Sequence, residues 1–242
     1  MRFDSLIKDE RKGSSDGMKR MAAVAAAAVA VSGAPVLTTS ASAATGVCTG
    51  VSSCKVVSRA DVDGDGRADQ VGLVQRTSYP QNNTITVRVR TAKGRTMTTS
   101  HKAWWYGSTW HGAARFDGRA GHELVVGSSA GAHARIFRVV TYRDGKLVTL
   151  KAPGGSWTWL VDGSYSMNAG WFRTTSRGKV YMTSKSSMRN MSTYRHDLRT
   201  YKYQWKNGSW RFVSSTRNPR ATTTSAYAIA GWHVPYLKTY SG

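Results

Sequence analysis

The chain has 242 residues, of which 40% are apolar, with 24 glycines and a formal net charge of +22. This length and apolar content exclude plain disorder, and they allow one sizeable core or a short array of repeated units. The many glycines, with nine tryptophans and eleven tyrosines, are typical of short strands joined by turns. The excess of positive charge favours polyanionic partners.

Residues 1–43 read as an export signal, with a Met-Lys-Arg start, an apolar stretch over residues 21–31 and an Ala-Ser-Ala cleavage site at the end. The apolar stretch is shorter than the about 20 residues that a membrane anchor needs. We therefore expect a secreted, extracellular protein with no membrane span. Residues 1–17 are polar and precede a second methionine, so they are either a misread upstream start or an extended n-region.

Residues 44–58 form an N-terminal segment that contains both cysteines of the chain. In an oxidising compartment Cys48 and Cys54 are expected to pair in a disulfide across a small loop. Two free thiols are the alternative. Two thiols alone make a poor metal site, so we expect no metal there.

Residues 59–242 repeat one order of features three times, in units of about 59–113, 114–169 and 170–242. Each unit has an apolar strand, then a strand with alternating faces, a tight turn and a returning strand. The apolar strands are predicted at 71–75, 124–128 and 180–184, and the turns at Lys93-Gly94, Asp144-Gly145 and Asn207-Gly208. A further anchor at Trp232 indicates the start of a fourth unit or a closing strand.

No stretch outside the export signal has a convincing helical period, so the predicted fold class is all-β. Three antiparallel repeats of about 55 residues resemble propeller blades in length and strand content. The sequence therefore predicts a small or partial β-propeller. A β-sandwich or an open barrel made from the same hairpins is the alternative.

The first unit opens with a loop whose aspartates follow the pattern D-x-D-x-D-G-x-x-D. Alternate residues of a tight loop direct their carboxylates to one side, and Gly66 allows the sharp bend. A hard cation would then be surrounded by oxygen atoms, and calcium is the fitting ion. The predicted metal ligands are Asp61, Asp63, Asp65, Asp69 and Arg67 through its backbone carbonyl. A polar turn that holds no ion is the alternative.

The stretch "ADVDGDGRADQVGLV", residues 60–74, resembles the calcium loop of FG-GAP repeats, also described as VCBS repeats. The resemblance implies a propeller-type fold and an extracellular setting, and by itself it implies no activity. An EF-hand is excluded because its twelfth position, here Gly72, needs a glutamate. The second unit keeps Asp117 and Glu123 at this place, and the third unit keeps no ligand.

Residues 127–131 match the G-x-S-x-G pattern of serine hydrolases, with Ser129 as the nucleophile. Its candidate partners are Asp144, Asp162 or Asp197 with His196 or His233. That motif needs a helix directly after the serine, whereas the sequence here predicts a strand. We therefore interpret the stretch as a connecting loop and expect no catalysis, and a secreted hydrolase that uses Ser129 is the alternative function.

Five tryptophans lie in the aromatic stretches that close the first two units: Trp104, Trp105, Trp110, Trp157 and Trp159. Their equivalent positions favour core filling between adjacent sheets, with sugar stacking as the alternative.

The basic residues alternate with apolar ones along two strands. Ile85 and Val89 would face a core while Arg88 and Arg90 point outward, and residues 201–206 repeat the alternation with lysines. Few acids are available to balance these cations. The sequence thus predicts a non-catalytic module at the cell surface or matrix that binds an anionic cell-wall polymer, an acidic polysaccharide or, without sequence preference, DNA.

Overall fold

The structure is a computed structural model that describes residues 45–76 and 83–239. The predicted export signal, residues 1–43, lies outside these described residues. The described chain contains fourteen β-strands and one short α-helix, so the predicted all-β class is confirmed. Its sheets are antiparallel apart from one short pairing near the end of the chain, and none of the described sheets closes into a barrel.

The first four strands form a separate antiparallel sheet in which neighbours in the chain are neighbours in the sheet. They are β1 (Cys54–Ala60), β2 (Asp69–Gln75), β3 (Asn83–Arg90) and β4 (Thr96–Ala103). The predicted alternation is confirmed in β3, where Ile85, Val87 and Val89 are completely buried. These three side chains, from one face of the sheet, form the centre of the first apolar core.

The N-terminal segment covers the opposite face of this sheet. The predicted disulfide between Cys48 and Cys54 is present. Its loop lies so close to β2 that a Cβ on Gly72 would meet the sulfur of Cys54 at 3.2 Å. Arg88 donates from Nε to the carbonyl oxygen of Val47 at 3.0 Å. One of the arginines predicted to face outward is therefore used to hold this segment.

The next four strands repeat the same antiparallel order. They are β5 (Trp110–Ala114), β6 (Glu123–Ala130), β7 (Ala134–Arg143) and β8 (Lys146–Leu150). The turn between the last two is the one predicted from Asp144-Gly145, and both residues have positive φ, 47° and 80°. Two consecutive positive φ values are the geometry of a two-residue hairpin turn, which explains why the sequence signal is strong there.

The last group of strands is longer. It comprises β9 (Trp159–Gly163), β10 (Met167–Ser176), β11 (Lys179–Arg189), β12 (His196–Lys206) and β13 (Ser209–Ala221). The predicted turn at Asn207-Gly208 is confirmed, with φ of 52° and 74°. The third repeat differs from the sequence prediction at its start, because Trp171 lies inside strand β10. A two-residue turn at Arg177-Gly178 joins β10 directly to β11, in the place of the loops that open the other two repeats.

Strand β7 connects the second and third groups into one sheet of ten strands. Its first half, from Ala134 to Phe137, pairs with β9, and its second half pairs with β8. The described strands thus form three antiparallel meanders, and the second and third are joined by strand pairing into one sheet. The arrangement of these meanders as propeller blades stays a prediction.

The C-terminal stretch contains α1 (Thr223–Tyr227) and β14 (Gly231–His233). The helix was not predicted, because five residues are too few to show a period of 3.6. Strand β14 pairs in parallel with β10 and brings Trp232 into the core. Within residues 45–76 and 83–239 there is no helix with the length and apolar character that a bilayer crossing demands.

The second apolar core is aromatic. Trp159 and Trp232 are almost fully buried and contact Phe116, and Trp159 also contacts Trp171 with ring centroids 4.7 Å apart. The predicted core role is confirmed for Trp159, while Trp105 and Trp110 are partly buried against the two cores. It is wrong for Trp104 and Trp157, which are 44% and 54% exposed: Trp104 follows β4 and makes an isolated bridge to Ser129, and Trp157 lies on the connection between β8 and β9.

Candidate functional site

The aspartate loop lies between β1 and β2, at one end of the first sheet. The structure brings three of the predicted ligands together, because carboxylate oxygens of Asp61, Asp63 and Asp65 all lie within 4.8 Å of one another. All three residues are partly buried. Three hard oxygen donors at this spacing are the chemistry that a calcium ion prefers.

The loop is shaped by hydrogen bonds to its own aspartates. Gly64 donates its backbone N–H to one carboxylate oxygen of Asp61 at 2.7 Å, and Gly66 donates to the other oxygen at 3.1 Å. Both glycines have positive φ, 81° and 82°. A Cβ on Gly64 would also lie 2.9 Å from the Cβ of Ala120. A side chain at this position would therefore be strained in conformation and in space.

Asp69 has a different place from the other three acids. It is completely buried, and its carboxylate accepts backbone N–H groups from Val62 at 2.8 Å, Asp63 at 3.3 Å and Ala92 at 2.9 Å. Its oxygens thus close the loop onto the neighbouring turn. Asp69 was predicted as a ligand, but it is not one of the three grouped carboxylates, and its oxygens already accept these backbone N–H groups.

Positive side chains stand near the cluster. Lys93 and Arg67 each lie 3.1 Å from an oxygen of Asp65, and both cations are more than half exposed. The backbone N–H of Arg67 first, and these side chains next, lower the pKa of Asp65 to about 2. Burial, followed by the neighbouring carboxylates Asp69 and Asp65, raises the pKa of Asp63. Among the described residues, the cations that pair with this negative cluster are Lys93 and Arg67. Both are exposed, so solvent screens their charge.

The second meander contains an equivalent loop between β5 and β6. Phe116 donates its backbone N–H to Glu123 at 2.8 Å, as Val62 does to Asp69. Arg119 donates its backbone N–H to the carboxylate of Asp117 at 2.8 Å, as the backbone N–H of Asp65 does to the carboxylate of Asp63. The two retained acids that the sequence indicated thus keep the positions of their counterparts.

A guanidinium group balances the acids of this second loop. Nη2 of Arg143 forms an ion pair with Asp117 and lies 3.8 Å from Glu123. Thr141 donates its hydroxyl to Glu123 at 2.9 Å. Burial, and then the charge of Asp117, raises the pKa of Glu123. Sequence reasoning missed Arg143, because it lies on β7 and no spacing rule joins it to the loop.

The clearest cationic surface lies on the third meander. We call it the cationic face, and it comprises Lys185, Lys202, Lys206 and Arg211, which the strand register places on one side of β11–β13. The register places Tyr201, Tyr203 and Trp205 on the side opposite the lysines, as predicted, but these aromatic side chains are only partly buried and do not form a closed core face. The acid of these strands, Asp197, lies on the opposite side and pairs with Arg199 and Arg217.

Aromatic rings hold two of these lysines in place. Lys185 lies over the ring of Phe172 at 4.1 Å, and Lys202 lies over the ring of Tyr181 at 4.3 Å. Phe172 itself stacks on His233, with ring centroids 3.9 Å apart. A cation over a ring is attracted by the ring quadrupole, which favours one position of the charge. The arrangement is therefore suited to binding repeated negative charges.

Ser129 lies inside strand β6 and faces Ile136 of β7 in the register. The predicted strand after the G-x-S-x-G stretch is confirmed, whereas the interpretation of the stretch itself as a connecting loop is wrong, because its first four residues belong to β6 and pair with β7. Among the described residues no hydrogen bond links Ser129 to a histidine. Of its candidate partners, Asp162 accepts a hydrogen bond from His133 at 2.9 Å, and His233 bonds to the carbonyl oxygen of Ala230.

The remaining candidate partners of Ser129 have other surroundings. His196 is completely buried, and neither of its ring nitrogens has a hydrogen-bond partner among the described residues. Asp197 is held by two arginines. Asp144 belongs to the β7–β8 turn. The described contacts thus assemble no triad around this serine.

Comparisons of the chain with protein-family models, with curated proteins and with solved structures find no match.

Proposed function

We propose that the chain is a secreted, calcium-binding protein with FG-GAP or VCBS-like repeats, and that it acts as a non-catalytic binding module for anionic polymers at a cell surface or matrix. The observation that supports this function best is the cationic face, where four basic side chains share one side of three strands and face no acid of those strands. A propeller-like arrangement of the three meanders is part of the proposal.

Electrostatics supports a polymer as the partner. The chain has 35 lysines and arginines against 13 aspartates and glutamates. The described acids are largely used within the protein, in the two loops and in the pair that Asp197 makes with arginines. The cations of the face are therefore free to neutralise a chain of negative charges, and bound counterions are released when they do so.

Calcium would serve structure in this proposal. The carboxylates of Asp61, Asp63 and Asp65 fit the ion as hard oxygen donors, and Arg67 through its carbonyl and Asp69 would complete the set. The ion would neutralise acids that repel one another. The loop also touches the second meander, since the backbone N–H of His122 donates to the carbonyl oxygen of Asp61 at 2.7 Å. A bound ion would thus stiffen the contact between two meanders.

Charge reversal on the cationic face tests the proposed function. The variant Lys185→Glu/Lys202→Glu should elute from a dextran sulfate matrix at a clearly lower salt concentration than the native protein, because affinity for polyanions depends on the cations in contact. The matched control is Lys102→Glu/Lys55→Glu, which makes the same change of charge on exposed lysines of the first sheet. Equal elution of the two variants, or retention that does not respond to salt, would contradict the proposal.

A further inference from the structure

A groove with aromatic walls lies between the second and third meanders. We call it the Trp157 groove and define it by Trp157, Trp205, Trp210, Lys151 and Arg119. It has a volume of about 420 Å³. Cavities of about 300 to 1,000 Å³ are the usual size of small-ligand sites.

The wall of the groove combines ring faces with positive charge. Trp157 is 54% exposed, and the ammonium group of Lys151 lies 4.2 Å from its ring centroid. Trp205 and Trp210 pack edge to face, with ring centroids 4.9 Å apart. The indole N–H of Trp210 has no hydrogen-bond partner among the described residues. Because this N–H is itself buried, the groove offers a ligand an exposed ring and positive charge.

Three basic residues, Arg119, Arg143 and Lys151, and one acid, Asp144, line the groove. Among the described acids none pairs with Lys151 or Arg119, and the ion pair of Arg143 is directed to Asp117. The terminal nitrogen of Arg119 lies near the β12–β13 turn, since a Cβ on Gly208 would meet it at 3.4 Å. The groove therefore presents cations from the second meander opposite the tryptophans of β12 and β13 in the third.

From this arrangement we infer that the Trp157 groove binds one acidic sugar unit, a pyranose ring that bears a carboxylate, of an anionic polysaccharide. The apolar face of such a ring takes the place of the Lys151 ammonium over Trp157, and the displaced ammonium pairs with the carboxylate of the sugar. Hydroxyl groups of Thr149 and Ser209 on the wall can bond to sugar hydroxyls. The inference rests on the proposed function in one respect, namely that the partner is an anionic polymer.

The geometry favours an acidic sugar over a nucleic acid. In a uronic acid the carboxylate is attached to the stacking ring itself, whereas in a nucleotide a ribose separates the base from the phosphate. Here the cation and the ring that would stack are adjacent, because Lys151 lies directly over Trp157. The edge-to-face packing of Trp205 and Trp210 leaves no flat slot between parallel rings for a base.

The groove is distinct from the cationic face. Binding of an acidic sugar by the groove and binding of polyanions by the face can therefore be tested separately. Trp205 lies on the side of β12 opposite to Lys202 and Lys206, by the alternation along the strand. A substitution in the groove thus leaves the cations of the face in place. Trp157 is exposed on a connection, so its replacement by alanine is not expected to disturb the core.

The test is calorimetric titration of the whole protein with a trimer of galacturonic acid, with its carboxyl-reduced neutral form and with a short oligo-dT as comparisons. The trimer should bind with one site per chain. Trp157→Ala should weaken this binding about five- to tenfold, the effect of one lost ring contact. Trp104→Ala, at another exposed tryptophan, is the matched control and should leave binding unchanged.

The other outcomes separate the two claims. If retention on dextran sulfate is normal but the trimer does not bind, or binds equally to Trp157→Ala, the groove inference is wrong and the proposed function stands. If oligo-dT binds in a Trp157-dependent way and the trimer does not, the ligand class is wrong. If the neutral trimer binds as well as the acidic one, the role of Lys151 is wrong. If retention itself is absent, the proposed function fails.

Discussion

The loops that open the first and second meanders share a backbone arrangement and differ in how their acids are neutralised. In both, an acid at the end of the loop accepts the N–H of a buried apolar residue, Val62 or Phe116. The first loop gathers three more carboxylates that only exposed cations approach. The second loop has fewer acids and contains the guanidinium group of Arg143. A repeated turn therefore keeps its shape when a guanidinium group supplied by the chain neutralises its acids.

Arg143 is the residue whose loss should break the second loop most severely. Arg143→Met leaves Asp117 and Glu123 buried without their cation, and such unpaired charges cost about 3 to 5 kcal/mol. Urea unfolding should report this loss as a lower midpoint. Arg115→Met, at an exposed arginine of the same loop, should cost far less.

Rescue by a second substitution sharpens this result. Adding Asp117→Asn to Arg143→Met removes one of the two unpaired charges and should restore part of the free energy of unfolding. A loss below about 1 kcal/mol in the single variant, the size expected of an exposed ion pair, would show that the guanidinium group does not balance the loop.

Calcium should stabilise the folded protein by slightly less than the free energy that Arg143→Met removes. An ion that binds only the folded state adds about 2.7 kcal/mol at one hundred times its dissociation constant. Thermal unfolding with calcium and with a chelator should therefore differ by several degrees. Asp63→Asn should abolish the difference, while Asp144→Asn, in the β7–β8 turn, should preserve it. Identical melting curves of the native protein under both conditions would exclude a structural ion.

Gly64 and Gly118 have equivalent positions in the two loops, but their substitution by alanine should lower the free energy of unfolding by different amounts. Gly64 has a positive φ, and a Cβ there would lie 2.9 Å from Ala120, so Gly64→Ala should cost about 1 to 3 kcal/mol. Gly118 has an ordinary φ, and a Cβ there would meet side-chain carbons of Trp205 at 3.3 Å and of Val180 at 3.7 Å. Gly118→Ala should therefore cost less in urea unfolding. Equal losses would mean that the two turns are strained alike.

The pH dependence of stability should reveal the buried acid of the second loop. Because the pKa of Glu123 is raised on folding, the folded protein binds this proton more tightly than the unfolded chain does. Its contribution is fully present below the ordinary pKa of 4.5 and is lost as the pH rises through the raised value. The loss amounts to about 1.4 kcal/mol for each pH unit between the two values.

The comparison variant for this pH profile is Glu123→Gln, which cannot titrate. Its free energy of unfolding, measured from pH 4 upward, should lack the decline seen in the native chain. An unchanged slope in the variant would assign the pH dependence to other groups.

The sequence predicted the local features that depend on neighbouring residues. Strand alternation in β3, the turns at Asp144-Gly145 and Asn207-Gly208, and the disulfide all follow from patterns of a few residues. The grouping of Asp61, Asp63 and Asp65 belongs to the same class, since a tight loop brings alternate side chains together.

Features that join distant parts of the chain were not visible in the sequence. Arg143 reaches the second loop from another strand, and β7 divides its pairing between β8 and β9. The Trp157 groove exists because two meanders meet there. The third repeat has no opening loop, because the turn at Arg177-Gly178 lets β10 and β11 pair directly. The order of features shared by the three repeats did not predict this turn.

The dependence of binding on salt tests most directly whether the cationic face binds polyanions. With duplex DNA as a calibrated polyanion, the slope of log K against log salt is about −0.9 for each phosphate neutralised. Lys185→Ala/Lys202→Ala should therefore reduce the magnitude of the slope by about 2, while Lys55→Ala/Lys102→Ala should not change it. An unchanged slope for the first variant, or an equal reduction for the second, would contradict the account.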